Sequence, residues 1–241
     1  DWSSDMCSSD LGRIKAGDLV TIVGDVGSGK STILCDWVGR LTSGSPMPGC
    51  AASSYPPTEI AGVCGLDDFQ STVRVLIERL GGRPGNFYLG HELFHDILGS
   101  PLGPGGKIKN GELIAGLANN LQSCPKMRVL VIDSATLHLP TDKPRKYREI
   151  LELLVSLARS MKIAIILTTV ADGPRSGVGL REFLKNDALI EFSRSIWRVT
   201  RENEDDPHGP RIVECLKLSH PTGPSGWQTY RVAQTPSGRL D

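Results

Sequence analysis

Residues Gly24-Asp25-Val26-Gly27-Ser28-Gly29-Lys30-Ser31 fit the pattern GxxxxGK[ST]. Each residue type in it has a physical task in holding a chain of phosphates. Glycines let the backbone turn tightly and aim consecutive N–H groups at one point. A helix opening near Lys30 adds its positive N-terminal end. Lys30 supplies a point charge for the β- and γ-phosphates, and the Ser31 hydroxyl is a ligand for Mg2+. The set expected to cradle a nucleotide is Gly24, Asp25, Val26, Gly27, Ser28, Gly29, Lys30, Ser31 and Thr32. ATP and Mg2+ are the cofactors such a set implies.

A metal held by one hydroxyl needs a carboxylate partner. Asp133 closes the apolar run Val129-Leu130-Val131-Ile132, and an acid at the carboxyl end of a parallel strand stands at the rim where ligands bind in open α/β sheets. Between Lys30 and Asp133 lies another strand-like run, Glu59 to Gly65, followed by Leu66-Asp67-Asp68. An extra strand ending in acids suits a hydrolase, with one carboxylate orienting or deprotonating the attacking water. Asp67 is the candidate base and Asp68 the candidate helix cap. The same residues fit the reverse assignment, or two plain turn residues.

These side chains need a scaffold, and the apolar periodicity supplies one. Leu19 to Val23, Val129 to Asp133 and Ile163 to Leu167 read as buried strands, the last ending in Thr168-Thr169. Residues 30–42 and 145–161 read as helices, the second with Ile150, Leu151, Leu154, Leu157, Ala158 and Met161 turned inward. A helix is predicted over 68–80, a short strand at Phe87-Tyr88-Leu89 and a helix around Leu113 to Leu121. Residues 43–57 and 99–111, rich in Gly, Pro and Ser, read as loops. Stretches near 195–200, 211–218 and 227–232 read as antiparallel strands. Strands alternating with helices give a mostly parallel α/β sheet, and the last strands an antiparallel extension.

Composition narrows the class. The 241 residues are 39% hydrophobic and 22% charged, too apolar for a disordered chain. Basic and acidic residues balance at 27 each, which excludes a protein that coats nucleic acid by bulk charge. No run of about 18 apolar residues is present, so no membrane span is expected. The six cysteines (Cys7, Cys35, Cys50, Cys64, Cys124, Cys215) form no CxxC pair, and with no signal-peptide pattern they read as reduced thiols of a cytoplasmic protein. Residues 1–11, DWSSDMCSSDL, have no period and resemble translated adapter sequence, so they are expected to be a non-native tail outside the fold. Three acids lie in that tail (Asp1, Asp5, Asp10), so the remainder carries a net charge of +3.

A second motif competes for attention. His91-Glu92-Leu93-Phe94-His95 matches HExxH, a zinc-protease pattern. It sits between a short strand and a Gly/Pro loop, without the long helix that would present both histidines on one face. Amphipathic packing through Leu93, Phe94 and Ile97 is the expected use.

The order of these elements resembles the RecA-like ATPases, and within them the RepA- and DnaB-type hexameric helicases. The likeness rests on GDVGSGKS, on GLDD before a helix and an ERLGG turn, on VLVIDS and AIILTT, and on IEFSRSIWRV followed by VECLKLSHPTGPSGWQTYRV. It covers roughly residues 12–232, and residues 12–241 are expected to form one RecA-like domain. The resemblance implies a homo-oligomeric ring or filament, with a hexamer the expected state, and ATP held between subunits. It implies that Arg194 reaches a neighbour's γ-phosphate and that Lys217 is a second cross-subunit cation. It implies Mg-ATP hydrolysis coupled to movement on single-stranded DNA in plasmid, phage or mobile-element replication, or a recombinase-like or regulatory ATPase that does not unwind. Two cation-bearing stretches are the candidate DNA loops: 134–148 with Lys143, Arg145, Lys146 and Arg148, and 171–185 with Arg175, Arg181 and Lys185. Tyr147 and Phe183 are their aromatic residues; the same cations also fit a solvated helix start. The chain departs from the family in carrying Asp67 where glutamate is usual, and Thr168-Thr169 where a histidine or glutamine sensor is frequent.

Overall fold

The computed structural model describes residues 14–48, 56–64, 72–89, 118–119, 126–139, 142–171, 180–203, 205–206, 209–219 and 229–232. In chain order the elements are β1 (Leu19–Gly24), α1 (Lys30–Ser43), β2 (Glu59–Cys64), α2 (Arg74–Arg79), β3 (Phe87–Leu89) and β4 (Met127–Asp133). They continue with α3 (Ala135–His138), α4 (Pro144–Met161), β5 (Ala164–Val170), α5 (Leu180–Leu184), α6 (Asp187–Phe192), β6 (Ser195–Arg201), β7 (Arg211–Leu218) and β8 (Thr229–Val232). The strands form one sheet in the order β3-β2-β4-β5-β1-β6-β7-β8. The pairings from β3 through β6 are parallel, and β7 and β8 add antiparallel pairings at one side.

Strict alternation along the central strands builds two cores. Val20 and Ile22, Val129 and Val131, and Ala164 and Ile166 face a layer that contains Ile33, Leu34, Trp37 and Val38 of α1. Leu19 and Val23, Leu130 and Ile132, and Ile165 and Leu167 face the other layer, with Ile150, Leu151, Leu154 and Ala158 of α4. Period-two geometry makes this inevitable once both faces are covered, and it explains why the strands read as continuous apolar runs. The inward stripe predicted for the long helix is buried, with Met161 packed at its margin.

Two features depart from the sequence reading. Strand β6 pairs antiparallel with β7, as expected, but it also pairs parallel with β1. The cause lies in the connection from β5, which contains the short helices α5 and α6; a helical crossover returns the chain in the same direction, and a parallel pair results. Their few residues give too little periodicity to read. Likewise α3 occupies 135–138 and α4 begins at Pro144, so nine of the fifteen residues in the stretch 134–148 are helical.

Trp37 of α1 and Trp197 of β6 meet edge to face, with ring centroids 5.6 Å apart and planes at 88°. Both are fully buried. The contact fixes α1 against the sheet beside β1, and so sets where the helix begins. No helix among the described residues is long and apolar enough to cross a membrane. Replacing Trp37 with Ala is expected to cost about 3–5 kcal/mol, measured by urea unfolding. A loss under about 1 kcal/mol would show that the pair does not anchor the helix.

Candidate functional site

The site forms where β1, β5 and β4 end side by side. Gly24 ends β1 and Lys30 opens α1, with the loop between them. Gly24 cannot carry a side chain, because a Cβ there would lie 2.3 Å from the Val199 carbonyl oxygen of β6. Gly27 and Gly29 adopt φ of +72° and +97°, the left-handed region where other residues are strained. The loop closes through Ser28 N–H to the Asp25 carbonyl at 3.1 Å, and Val26 stands exposed at its tip.

Lys30 folds back over this loop. Its ammonium donates to the carbonyls of Gly24 at 3.0 Å and Asp25 at 2.7 Å, and the residue is buried. Burial pushes its pKa below the ordinary value, while Asp133 and Asp25 pull it back. The first turn of α1 contains no acid, so its positive end is not neutralised by its own side chains.

Strand parity brings Asp133 to the same place. It lies two residues beyond Val131, on the α1 face, as Thr168 lies two beyond Ile166. The Thr168 hydroxyl donates a hydrogen bond to the Asp133 carboxylate. Ser31, Thr32 and Asp133 line one pocket with Cys35, Val73 and Phe87. The peptide after Asp133 is cis.

These groups fit a magnesium nucleotide. Backbone N–H groups and an ammonium suit phosphate oxygens, and a hydroxyl with a carboxylate makes a hard oxygen set for Mg2+. The loop also holds an unused donor: the Ser28 hydroxyl is buried and has no partner among the described residues.

Of the residues expected in the site, Lys30, Ser31, Thr32 and Asp133 come together. Asp67 and Asp68 lie outside the described residues, as do His91 to His95 and Arg175. Arg194 is exposed and stands elsewhere. It precedes β6, and its N–H donates to the Leu19 carbonyl at 2.8 Å, at the start of β1. That is the opposite end of the strand from Lys30, roughly 17 Å away at about 3.3 Å per residue. Lys217 neighbours it. Its ammonium donates to the carbonyls of Ile190 at 2.5 Å and Ser193 at 2.7 Å, closing the end of α6. Burial and the nearby Arg194 lower the Lys217 pKa.

Among the described residues, the cations of the candidate DNA stretches stand on helices or at their ends. Arg145, Lys146 and Arg148 stand on the first turns of α4 with Lys143 at its cap position. Arg148 pairs with Glu191 at 2.7 Å and lies over Phe192, and Arg145 pairs with Glu149 at 3.3 Å. Arg181 pairs with Asp187 at 3.6 Å on α5 and α6, and Lys185 is exposed after α5. Tyr147 and Phe183, read as stacking residues, are both buried in the core and cannot meet a base. Their helical phase decides this: Tyr147 lies on the Ile150, Leu151 and Leu154 face of α4. Burial raises the Tyr147 pKa.

Sequence reasoning missed two arginines, Arg201 and Arg211, which lie on the phosphate loop. A Cβ at Gly27 would meet Arg201 Nη2 at 2.9 Å and one at Gly29 would meet Arg211 Nε at 3.0 Å. No local pattern marks them, because the register of β6 beside β1 places them there.

A buried ammonium makes stability depend on pH. Below the lowered folded-state value, folded and unfolded chains both carry the Lys30 proton and the burial cost stands in full. As pH rises the folded chain sheds it first, and stability climbs until the unfolded value near 10.5. Gly24 and Asp25 carbonyls keep Ala171 and Ser28 N–H groups as partners without Lys30. Lys30→Met is therefore expected to melt above wild type at pH 7, with the gap narrowing toward pH 10.5; a lower melting point at pH 7 contradicts this.

Residues 10–169 match a family model described as an AAA domain, which covers more than half of the chain. A comparison with curated protein sequences gives no significant match. Among solved structures, the crystal structure of the RadB recombinase is similar, with a TM-score of 0.61 over 99% of this chain and 97% of that one, at 19% identity. That likeness shows the fold, and its mostly parallel sheet with an antiparallel end agrees with the one described above. The chain belongs to the AAA domain family, and its fold is RecA-like.

Proposed function

We propose that residues 12–241 form a Mg-ATP-driven motor that assembles as a homo-oligomeric ring, a hexamer, on single-stranded DNA. Its use is to move along or unwind DNA in plasmid, phage or mobile-element replication. The observation that carries the reading is the meeting of Lys30, Ser31, Asp133 and Thr168 at three neighbouring strand ends.

Bound Mg-ATP supplies the phosphoanhydride and the metal charge. The N–H groups of the loop and of the first turn of α1 hold phosphate oxygens. Lys30 neutralises charge on them, and its pull toward loop carbonyls keeps the ammonium on the loop axis. Ser31 and Asp133 hold the metal, and Thr168 keeps the Asp133 carboxylate in one orientation. Asp67 is the proposed base for the attacking water.

Arg194 supports the oligomeric part of the reading. It stands too far from its own loop to serve it, and it is exposed where another subunit could use it. We assign it to a neighbour's γ-phosphate. Lys217 acts in the same direction: two of its three donors hold the turn that carries Arg194, and its charge adds to that of Arg194. The cations at the start of α4 support a nucleic-acid partner. Lys143 and Lys146 are exposed at a positive helix end, an arrangement that a polyanion stabilises.

A second reading has its own observation. The RadB recombinase matches over nearly its whole length, which favours an ATPase that assembles on DNA without unwinding it. Strand displacement on a forked duplex separates the two.

Lys30→Ala is expected to abolish ATP turnover with the fold retained, and single-stranded DNA to stimulate wild-type turnover less as salt rises. Full turnover in the variant sinks the phosphate-loop assignment, and indifference to single-stranded DNA removes the nucleic-acid partner. If Arg194 acts in trans, mixing Arg194→Ala with Lys30→Ala protein restores part of the activity. A mixture shown to co-assemble yet remaining inactive counts against that role.

A further inference from the structure

Three contacts join the phosphate loop to the β6–β7 hairpin of the same chain. The Val199 carbonyl lies against Gly24, the Arg201 guanidinium against Gly27 and the Arg211 side chain against Gly29. Arg201 and Arg211 face each other directly across the β6–β7 ladder. Like charges at such positions destabilise a hairpin. Desolvation and the nearby Arg201 both lower the Arg211 pKa, with Asp206 opposing them. Arg211 donates within the hairpin, to the Gly209 carbonyl, whereas Arg201 donates outside it.

The hydrogen bonds show the task. Arg201 donates from Nε at 3.2 Å and Nη2 at 2.9 Å to the Gly27 carbonyl. A trans peptide directs its C=O and N–H oppositely, so the same peptide donates Ser28 N–H to the Asp25 carbonyl at 3.1 Å. The Asp25 carbonyl in turn accepts from Lys30 Nζ at 2.7 Å. A continuous polar chain thus runs from Arg201 through the 27–28 peptide to the lysine ammonium. Arg201 polarises the 27–28 peptide and so strengthens its N–H as a donor, and the Asp25 carbonyl shares its lone pairs between that N–H and the ammonium.

We propose that Arg201 is a positioning residue for the phosphate site: it locks the Gly27–Ser28 peptide from outside and thereby sets Lys30 and the loop N–H groups for phosphate, with Arg211 bracing Gly29 beside it. The inference rests on the phosphate-binding reading above. Arg201 acts through the loop and touches no phosphate itself. Its effect therefore falls on the polyphosphate and is indifferent to the nucleoside.

The test measures binding of ATP and of inorganic tripolyphosphate, with Mg2+, to wild type, Arg201→Gln, Arg201→Lys and Lys30→Ala, together with kcat and KM for ATP. Arg201→Gln is expected to weaken both ligands by the same factor, about tenfold for a lost pair of charge-assisted bonds. KM rises in step while kcat at saturation and the melting point hold. Arg201→Lys keeps the charge and one donor, and recovers a large part of the affinity. Loss of ATP affinity with unchanged tripolyphosphate affinity overturns the proposal in favour of a nucleoside contact, as does a fall in kcat at unchanged KM. Unchanged binding of both ligands removes the role altogether. Wild type that binds neither ligand, or that binds as well after Lys30→Ala, refutes the phosphate site itself; that outcome is read from proteins in which Arg201 is intact.

Discussion

One buried ammonium governs this structure. Lys30 is held by two loop carbonyls and faces Asp133, in a place where water reaches it poorly enough to lower its pKa. A desolvated cation is tolerable only among fixed dipoles and an opposite charge. The fold provides both by bringing distant segments to one edge. β1 and β4 are not neighbours in the sheet; β5 lies between them. The loop after β1 and the acid ending β4 can therefore address one site only across the end of β5, where Thr168 holds Asp133. A one-residue slip in β4 or β5 would turn Asp133 or Thr168 to the α4 face. The two alternating cores forbid that slip, so the hydrophobic pattern of the strands also specifies the polar site.

The same economy appears in β6. Its parallel pairing with β1 places Trp197 under Trp37, which anchors α1, and Val199 and Arg201 behind the loop. Its amino end carries Arg194, pinned to Leu19 and Ser219 by main-chain bonds and steadied by Lys217. One strand thus connects the phosphate loop at one rim of the sheet to an exposed arginine at the other.

The loop motif, the acid ending β4 and the three central strands are legible in the sequence because each is a local pattern. Lys30, Ser31 and Asp133 were readable together once a parallel sheet was inferred. What stayed hidden depended on register or on short elements. Arg201 and Arg211 are ordinary strand-end arginines until β6 is set beside β1. Helices α3, α5 and α6 have four to six residues, too few to show a period. Missing them made β6 look like a simple meander strand. Tyr147 and Phe183 were misread for a related reason: an aromatic within a charged stretch reads as exposed until the helix phase turns it inward.

The distribution of charge bears on what such a domain can hold. Some exposed cations are paired within the chain: Arg145 with Glu149, Arg148 with Glu191 and Arg181 with Asp187. Exposed pairs of this kind contribute little to stability, about 0–1 kcal/mol each, but they remove cations from the set that attracts a polyanion. Lys143 and Lys146 differ. They are exposed at the start of an 18-residue helix whose first turn holds no acid, so they repel its positive end and each other. A backbone of phosphates would relieve both repulsions at once. Overall neutrality and a local polyanion site are therefore compatible: net charge is a sum over the whole chain, whereas Lys143 and Lys146 act together at one helix end.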